Sequence, residues 1–315
     1  KKKLKIDQYK KLEEGLGIPK FIRETKNLWM INCLGFFYGL LIFPEEQRGW
    51  FPYALEAGTK FLKNNKVDCL LSSSSPVICH MVAKKLKDKF HIPWLADFRD
   101  LWTQNYYYIY GPLLKFIDRR LEVNTLSQAD ALSTVSSPLL EILQELHKNK
   151  KFFCIPNGFD PSIVNNLSIP LAKEFTIVYT GNVYPGKQSP TLLFEVLRFL
   201  IKDNKIDPNM VRIKFFGRVQ YWMEQEIERY QLRGVVEKYG KITREQSIDQ
   251  QRQAQLLLFL NWNDSREKGV YTAKIFEYLA ARRPILAVGG PKGVVSDLLE
   301  TTQAGVHINT AQAME

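Results

Sequence analysis

From residue 67 onward, short apolar runs alternate with amphipathic stretches of helical period. The runs at 67–71 (VDCLL), 93–98 (PWLADF), 131–135 (ALSTV) and 152–156 (FFCIP) are five or six residues long and bounded by turn residues, which predicts buried strands. Between them, apolar positions recur three and four residues apart over 77–89, 113–127 and 138–148, which predicts helices. After a polar gap the pattern restarts. Strands are predicted over 175–179, 211–216, 235–239, 256–260 and 284–288, and helices over 191–202, 221–230, 244–253, 272–281 and 294–300, with a last strand at 305–308. Strand and helix in such short alternation predict parallel sheets with crossover helices, and so an α/β chain of two doubly wound lobes. The region before residue 60 reads as helices and loops, broken at Pro44 and at Gly49-Trp50. Residues 72–76 (SSSSP) read as a turn.

The gap from Asn157-Gly158-Phe159-Asp160-Pro161 to about Ala172 is the predicted linker, dividing an N-terminal lobe, 1–165, from a C-terminal lobe, 166–315. A length of 315 residues suits two cores. With 45% apolar and 24% charged residues, wholesale disorder is excluded. The longest apolar run, 28–43, is interrupted by Asn32 and two glycines and falls short of the roughly 20 residues a membrane span needs, so a core helix is expected there. Cys33, Cys69, Cys79 and Cys154 form no C-x-x-C pair and read as reduced, packed thiols of a cytoplasmic protein. No signal peptide is visible, and a chain starting at Lys1 is expected to lack its natural beginning.

Lys and Arg number 44 against 33 Asp and Glu, a net charge of +11, which calls for an anionic partner: phosphate, nucleic acid or an anionic membrane surface. Residues 1–30 hold nine Lys/Arg against four Asp/Glu and are the expected membrane-facing cluster.

Ligands of parallel α/β sheets bind beyond the carboxyl ends of strands, so the loops there are where chemistry is expected. Residues 180–188 (TGNVYPGKQ) supply glycines for close backbone approach and Lys187 as a point charge, which suits a diphosphate; an ordinary Gly/Pro turn with a solvated lysine is the alternative. In 269–279 (GVYTAKIFEYL), Thr272 is a plausible N-cap whose helix start presents N–H groups to phosphate, with Lys274 nearby and Glu277 placed to reach a sugar hydroxyl. Both charged residues would otherwise be surface charges. At 97–100, Asp97 and Asp100 are candidates to orient an acceptor hydroxyl and Arg99 to pair with an acceptor phosphate; an internal ion pair fixing the loop is the competing reading. Residues 240–244 (GKITR) frame a nucleobase through Ile242, or form a loop and a cap at Thr243. His80, His91, His147 and His307 show no ligand spacing and are given no role, and no metal site is expected.

In order, the stretches SSSSPVICHMVAKKL, IPWLADFRDLW, ADALSTVSSPLLEIL, IPNGFDP, IVYTGNVYPGK and TAKIFEYLAARRPILAVGG resemble the retaining glycosyltransferases of family 4, of the kind that assemble bacterial capsule, lipopolysaccharide or other exopolysaccharide. The resemblance covers about residues 45–308. It implies a GT-B fold of two Rossmann-like lobes facing a central cleft, an acceptor-binding N-terminal lobe and a C-terminal lobe that binds a nucleotide-diphosphate sugar, with no cofactor, no metal and no nucleic acid. It implies transfer with retention to a glycan or polyprenyl-linked acceptor, at the cytoplasmic side of a membrane.

Carried over by position, the resemblance makes Glu277 the ribose ligand, while Gly269 stands where the family keeps its other glutamate. Asn182 and Lys187 hold the places of the family's Arg/Lys pair, with Arg218 and Lys274 as compensating cations. Gly181, Ile242, Tyr271 and Thr272 complete the implied donor set, and Asp97, Arg99 and Asp100 the acceptor-side set. The family's further segments before and after this region are expected to be missing here. A GT-B epimerase or hydrolase, or a non-catalytic nucleotide-sugar-binding protein, are the alternatives.

Overall fold

The computed structural model describes residues 39–310 except 41, 107, 109–110, 162–168, 219–220 and 265–268. The expected core helix at 28–43 and the basic cluster at 1–30 therefore lie essentially outside the described residues. The chain divides into two compact units, Lys1–Thr134 with Leu140–Cys154, and Val135–Leu139 with Ile155–Glu315.

In the first unit, a 3-10 turn (Glu46–Trp50) leads into α1 (Phe51–Asn64). Four parallel strands follow in the spatial order β1 (Leu70–Ser74), β2 (Trp94–Phe98), β3 (Ala131–Thr134) and β4 (Lys151–Cys154). They are joined by α2 (Ile78–Phe90), α3 (Pro112–Leu126) and α4 (Ser137–Leu146). Strand β1 starts three residues later than its hydrophobic run predicts and takes in three of the serines expected to turn. Their hydroxyls find partners in the sheet, which makes a polar strand affordable: Trp94 Nε1 donates to Ser72 Oγ at 2.7 Å, and Ser73 Oγ donates to Asp97 Oδ2 at 2.9 Å. At the start of α2, Glu45 supplies the cap that the sequence there lacks. Its carboxylate accepts the backbone N–H of Val77 at 3.0 Å and of Ile78 at 2.5 Å, while burial raises its pKa.

Helix α3 turns both of its acids into the core. Glu122 accepts from the backbone N–H of Thr103 at 3.2 Å and from its hydroxyl, and lies 3.3 Å from His147 Nε2. Asp118 accepts from the Tyr108 hydroxyl at 2.7 Å; burial pushes its pKa up to about 6, against the pull of that bond.

The second unit is a six-stranded parallel sheet in the order β10-β9-β8-β5-β6-β7. Its strands are β5 (Phe175–Thr180), β6 (Val211–Phe216), β7 (Val236–Tyr239), β8 (Leu256–Leu260), β9 (Ile285–Val288) and β10 (Gly305–Ile308). The helices between them are α5 (Thr191–Lys202), α6 (Tyr221–Arg229), α7 (Arg244–Gln253), α8 (Ala273–Ala281) and α9 (Val294–Thr302). Tyr179, Phe194, Ile213, Phe215 and Met223 fill one side of the core, and Val178, Leu257, Phe259, Ile275 and Tyr278 the other. Because β5 sits mid-sheet with β6 on one side and β8 on the other, the chain reverses its winding direction between β5 and β8. A crevice at the carboxyl ends of those two strands follows from that reversal. Of the expected caps, Thr243 is realised in full: Gln246 N donates to its hydroxyl at 3.2 Å, and the Gln246 side chain accepts from Thr243 N at 3.0 Å.

The described cysteines are free, but two are not packed. Cys69 and Cys154 are exposed because they flank β1 and end β4, the two edge strands of the smaller sheet; Cys79 is half-buried on α2. Among the described residues, no helix is long and apolar enough to cross a membrane.

Candidate functional site

At the point where the winding reverses, the loop after β5 and the start of α8 are locked together. Gly181 donates its N–H to Phe216 O at 2.7 Å with φ of +113°. A Cβ on Gly217, whose φ is +152°, would stand 2.2 Å from Gly181 O, so the loops after β5 and β6 approach as closely as two backbones can. Gly217 N also donates to Gly240 O at 3.2 Å, which brings in the loop after β7. Asn182 ties the loops further: its side-chain oxygen accepts Arg218 N at 3.1 Å, and its carbonyl accepts the Tyr179 hydroxyl at 2.9 Å. From α8, the Tyr278 hydroxyl accepts Thr180 N at 3.0 Å and holds the helix to β5.

Into this frame α8 delivers Lys274. Its Nζ lies 3.6 Å from the centroid of the Tyr179 ring and 3.2 Å from where a Gly181 side chain would begin, so the missing Cβ makes room for the ammonium. Burial lowers its pKa from 10.5 to about 7, and the charge of Glu277 opposes that fall only in part. Thr272 takes the N-cap backbone conformation (φ −82°, ψ 146°), yet its hydroxyl makes no cap bond and is buried without a partner among the described residues. An uncapped helix start, an unpartnered hydroxyl and a desolvated lysine thus meet beside two glycine loops, an arrangement that suits an anion with several oxygens.

The remaining predicted residues of this unit fall around that centre. Lys187 Nζ sits 4.4 Å over the Trp262 ring, which stacks on Tyr184 with centroids 5.6 Å apart, and burial lowers the lysine's pKa. Asn263 N donates to Lys187 O at 2.8 Å, so the loops after β5 and β8 are also joined here. Glu277 lies one turn beyond Lys274, 4.0 Å from Arg244, on the wall of a pocket of about 160 Å³ that Phe159, Ile248 and Gln251 help to line. Ile242 and Tyr271 turn their side chains toward the core beside Phe276, leaving the backbone of 240–242 for any contact with a base. Trp262, Tyr179 and Gly217 were not singled out by sequence; only the position of Gly217 directly after a strand would have signalled it.

Gly269 is tightly packed against residues 136–139. Its carbonyl accepts the Ser136 hydroxyl at 2.6 Å, and a Cβ there would stand 3.1 Å from Pro138 and 3.2 Å from Leu139. A side chain at that position would need Pro138 and Leu139 to give by a few tenths of an ångström.

In the first unit, Asp97 is buried and both its oxygens are engaged. Ser133 Oγ donates at 2.8 Å to one; Ser73 Oγ at 2.9 Å and Arg99 Nε at 2.7 Å donate to the other. Those bonds hold Arg99 at the end of β2, so the internal ion pair weighed from sequence is present. Asp100 is exposed along much of its surface, while desolvation around its carboxyl raises its pKa. His80, given no role from sequence, is fully buried against Phe98 at 4.6 Å, with Nδ1 2.7 Å from Ser72 Oγ. Burial lowers its pKa to about 3, so it is neutral.

Residues 31–163 match the family model for Glycosyltransferase Family 4. No curated protein matches the chain. Among solved structures, HepE of Anabaena in complex with UDP is similar over 84% of this chain and 70% of its own, with 13% identity and a TM-score of 0.61. A sucrose-phosphate synthase of Thermosynechococcus elongatus is similar over 86% and 68%, with 15% identity and a TM-score of 0.57. The lipopolysaccharide outer core galactosyltransferase WaaB is similar over 82% and 66%, with 13% identity and a TM-score of 0.55. At these identities the likeness is one of fold: two parallel-sheet α/β domains of the GT-B glycosyltransferases.

Proposed function

We propose, for a chain with the GT-B fold and a family 4 match over residues 31–163, that it moves a glycosyl group from a nucleoside-diphosphate sugar to a glycan or polyprenyl-linked acceptor in polysaccharide assembly. The carrying observation is the Gly181, Gly217 and Lys274 arrangement at the reversal of the second sheet, beside an uncapped helix start. That HepE was solved with UDP and with UDP-glucose supports a nucleotide sugar as donor.

The diphosphate lies against the backbone of Gly181 and Gly217 and the N–H groups at the start of α8, with Lys274 and Lys187 as its cations. Glu277 takes the ribose hydroxyls. As the bond from the anomeric carbon to the phosphate oxygen breaks, negative charge builds on that oxygen, and these fixed positive groups stabilise it without reorganising. The acceptor hydroxyl attacks from the face the diphosphate leaves, its proton passes to the departing phosphate oxygen, and configuration is retained. That route asks for no metal ion and no cofactor. Asp97 is a positioning residue that aims Arg99, and Arg99 and Asp100 serve the acceptor.

Incubating the protein with labelled UDP-, GDP- and ADP-sugars and a polyprenyl-phosphate-linked acceptor tests the reading. Label in the acceptor supports it. Acceptor-free release of sugar points instead to a hydrolase or epimerase, and tight binding without turnover to a binding protein.

A further inference from the structure

Helix α3 of the first unit is polarised in a way that water does not explain. Its two acids, Asp118 and Glu122, face inward, whereas Leu113, Phe116, Ile117 and Val123 are 40–59% exposed. At 100° per residue these four, together with Arg120, fall within about a third of the helix circumference. Arg119 and Arg120 are exposed, and the Arg120 guanidinium lies 4.3 Å from the Phe116 ring. Every exposed charge on the helix is therefore basic. Four adjoining apolar side chains with Arg120 among them and Arg119 at their edge are more than the isolated surface apolars of an ordinary soluble face.

We propose that this face of α3 docks the protein on an anionic lipid bilayer. Leu113, Phe116, Ile117 and Val123 enter the boundary between headgroups and acyl chains, and Arg119 and Arg120 meet lipid phosphates, their aliphatic stems lying along the apolar patch. Charge complementarity favours this occupant: a bilayer rich in phosphatidylglycerol offers phosphate to both arginines and hydrocarbon to the apolar residues around them. At 15 residues the helix lies in the interface and does not cross it. The proposal stands on α3 alone and does not depend on the donor site.

Vesicle flotation of the whole chain tests it, with phosphatidylcholine vesicles against vesicles rich in phosphatidylglycerol. The protein is expected to float with the anionic vesicles and not with the neutral ones. The uncharged double variant Phe116→Ser, Ile117→Ser is expected to stay at the bottom. The double variant Arg119→Gln, Arg120→Gln should lower the partition coefficient about 25-fold, from roughly fivefold per arginine. Phe116 and Ile117 are about half exposed and both arginines are exposed, so the variants should stay folded with melts lowered by a few degrees at most, and the affinity for UDP should not change. Wild-type protein that ignores anionic vesicles overturns the proposal, as does a Phe116→Ser, Ile117→Ser variant that floats like wild type. A dimer that dissociates in that variant, with no vesicle binding by either, overturns it in favour of self-association.

Discussion

Replacing Lys274 with Met separates a lysine held for a ligand from one held for the fold. The ammonium is buried against Tyr179 and its pKa falls from 10.5 to about 7. Each pH unit between those values corresponds to about 1.4 kcal/mol, which bounds the cost of burying the charge at about 5 kcal/mol. The ring contact and the packing of the aliphatic stem return part of that, so a net gain of about 1–3 kcal/mol is expected for Lys274→Met near neutral pH.

The sign with pH follows from linkage. Between about pH 7 and 10.5 the unfolded chain holds the lysine proton more tightly than the folded one. Wild-type stability therefore rises with pH across that window, the penalty is complete below about pH 7, and the advantage of the Met variant fades toward pH 10.5. Melting curves over this range should show the variant higher at neutral pH, by roughly 2–4 °C per kcal/mol. Calorimetric titration with UDP should show affinity reduced at least tenfold, since a charge-assisted contact is worth about 1.5–3 kcal/mol. Wild type should also take up close to one proton per UDP at about pH 8, where the free lysine is mostly neutral and the bound diphosphate charges it. A Met variant that melts lower and binds UDP as well as wild type would refute the reasoning.

Three other substitutions probe different parts of the account. Gly217→Ala forces a Cβ to within 2.2 Å of Gly181 O and should lower the melting temperature of the second unit and abolish UDP binding; undiminished binding would show that the loop approach is dispensable. Glu277→Gln should raise the donor KM while leaving the melt nearly unchanged, because the carboxylate is partly exposed and only 4.0 Å from an exposed Arg244; a large loss of stability would make it structural. Asp97→Ala removes the acceptor for three donors in a buried position and should cost about 3 kcal/mol or more of stability, which a thermal melt reads directly; an unchanged melt with lost transfer would make Asp97 catalytic instead.

Periodicity revealed the parallel α/β architecture because strands buried on both faces leave continuous apolar runs, as at 256–260 and 284–288, and those positions match β8 and β9 to within a residue. It misplaced β1 because a strand of serines looks like a turn until its neighbours supply Trp94 and Asp97 as partners. The candidate donor loops were visible as glycines after strands. That Gly181 and Gly217 touch, and that Lys274 fills the space left by a missing Cβ, depends on contacts between loops far apart in sequence. Thr272 shows the limit of local rules: it has the residue type and backbone of a cap, yet its hydroxyl makes no cap bond. Helix α3 shows another, since helical spacing over 113–127 reveals two faces but does not say that the one bearing Asp118 and Glu122 is the buried one.

The central claim is that a nucleoside diphosphate binds where the second sheet reverses its winding. Hydrogen–deuterium exchange of the whole chain with and without saturating UDP tests it most directly. The account predicts slowed exchange in the backbone of 181–187, at 217–218 and through the first turn of α8, with the strand ends of the first unit unchanged. Saturable binding that leaves those segments exchanging as before, or that protects only the loops after β1 and β2, would contradict it.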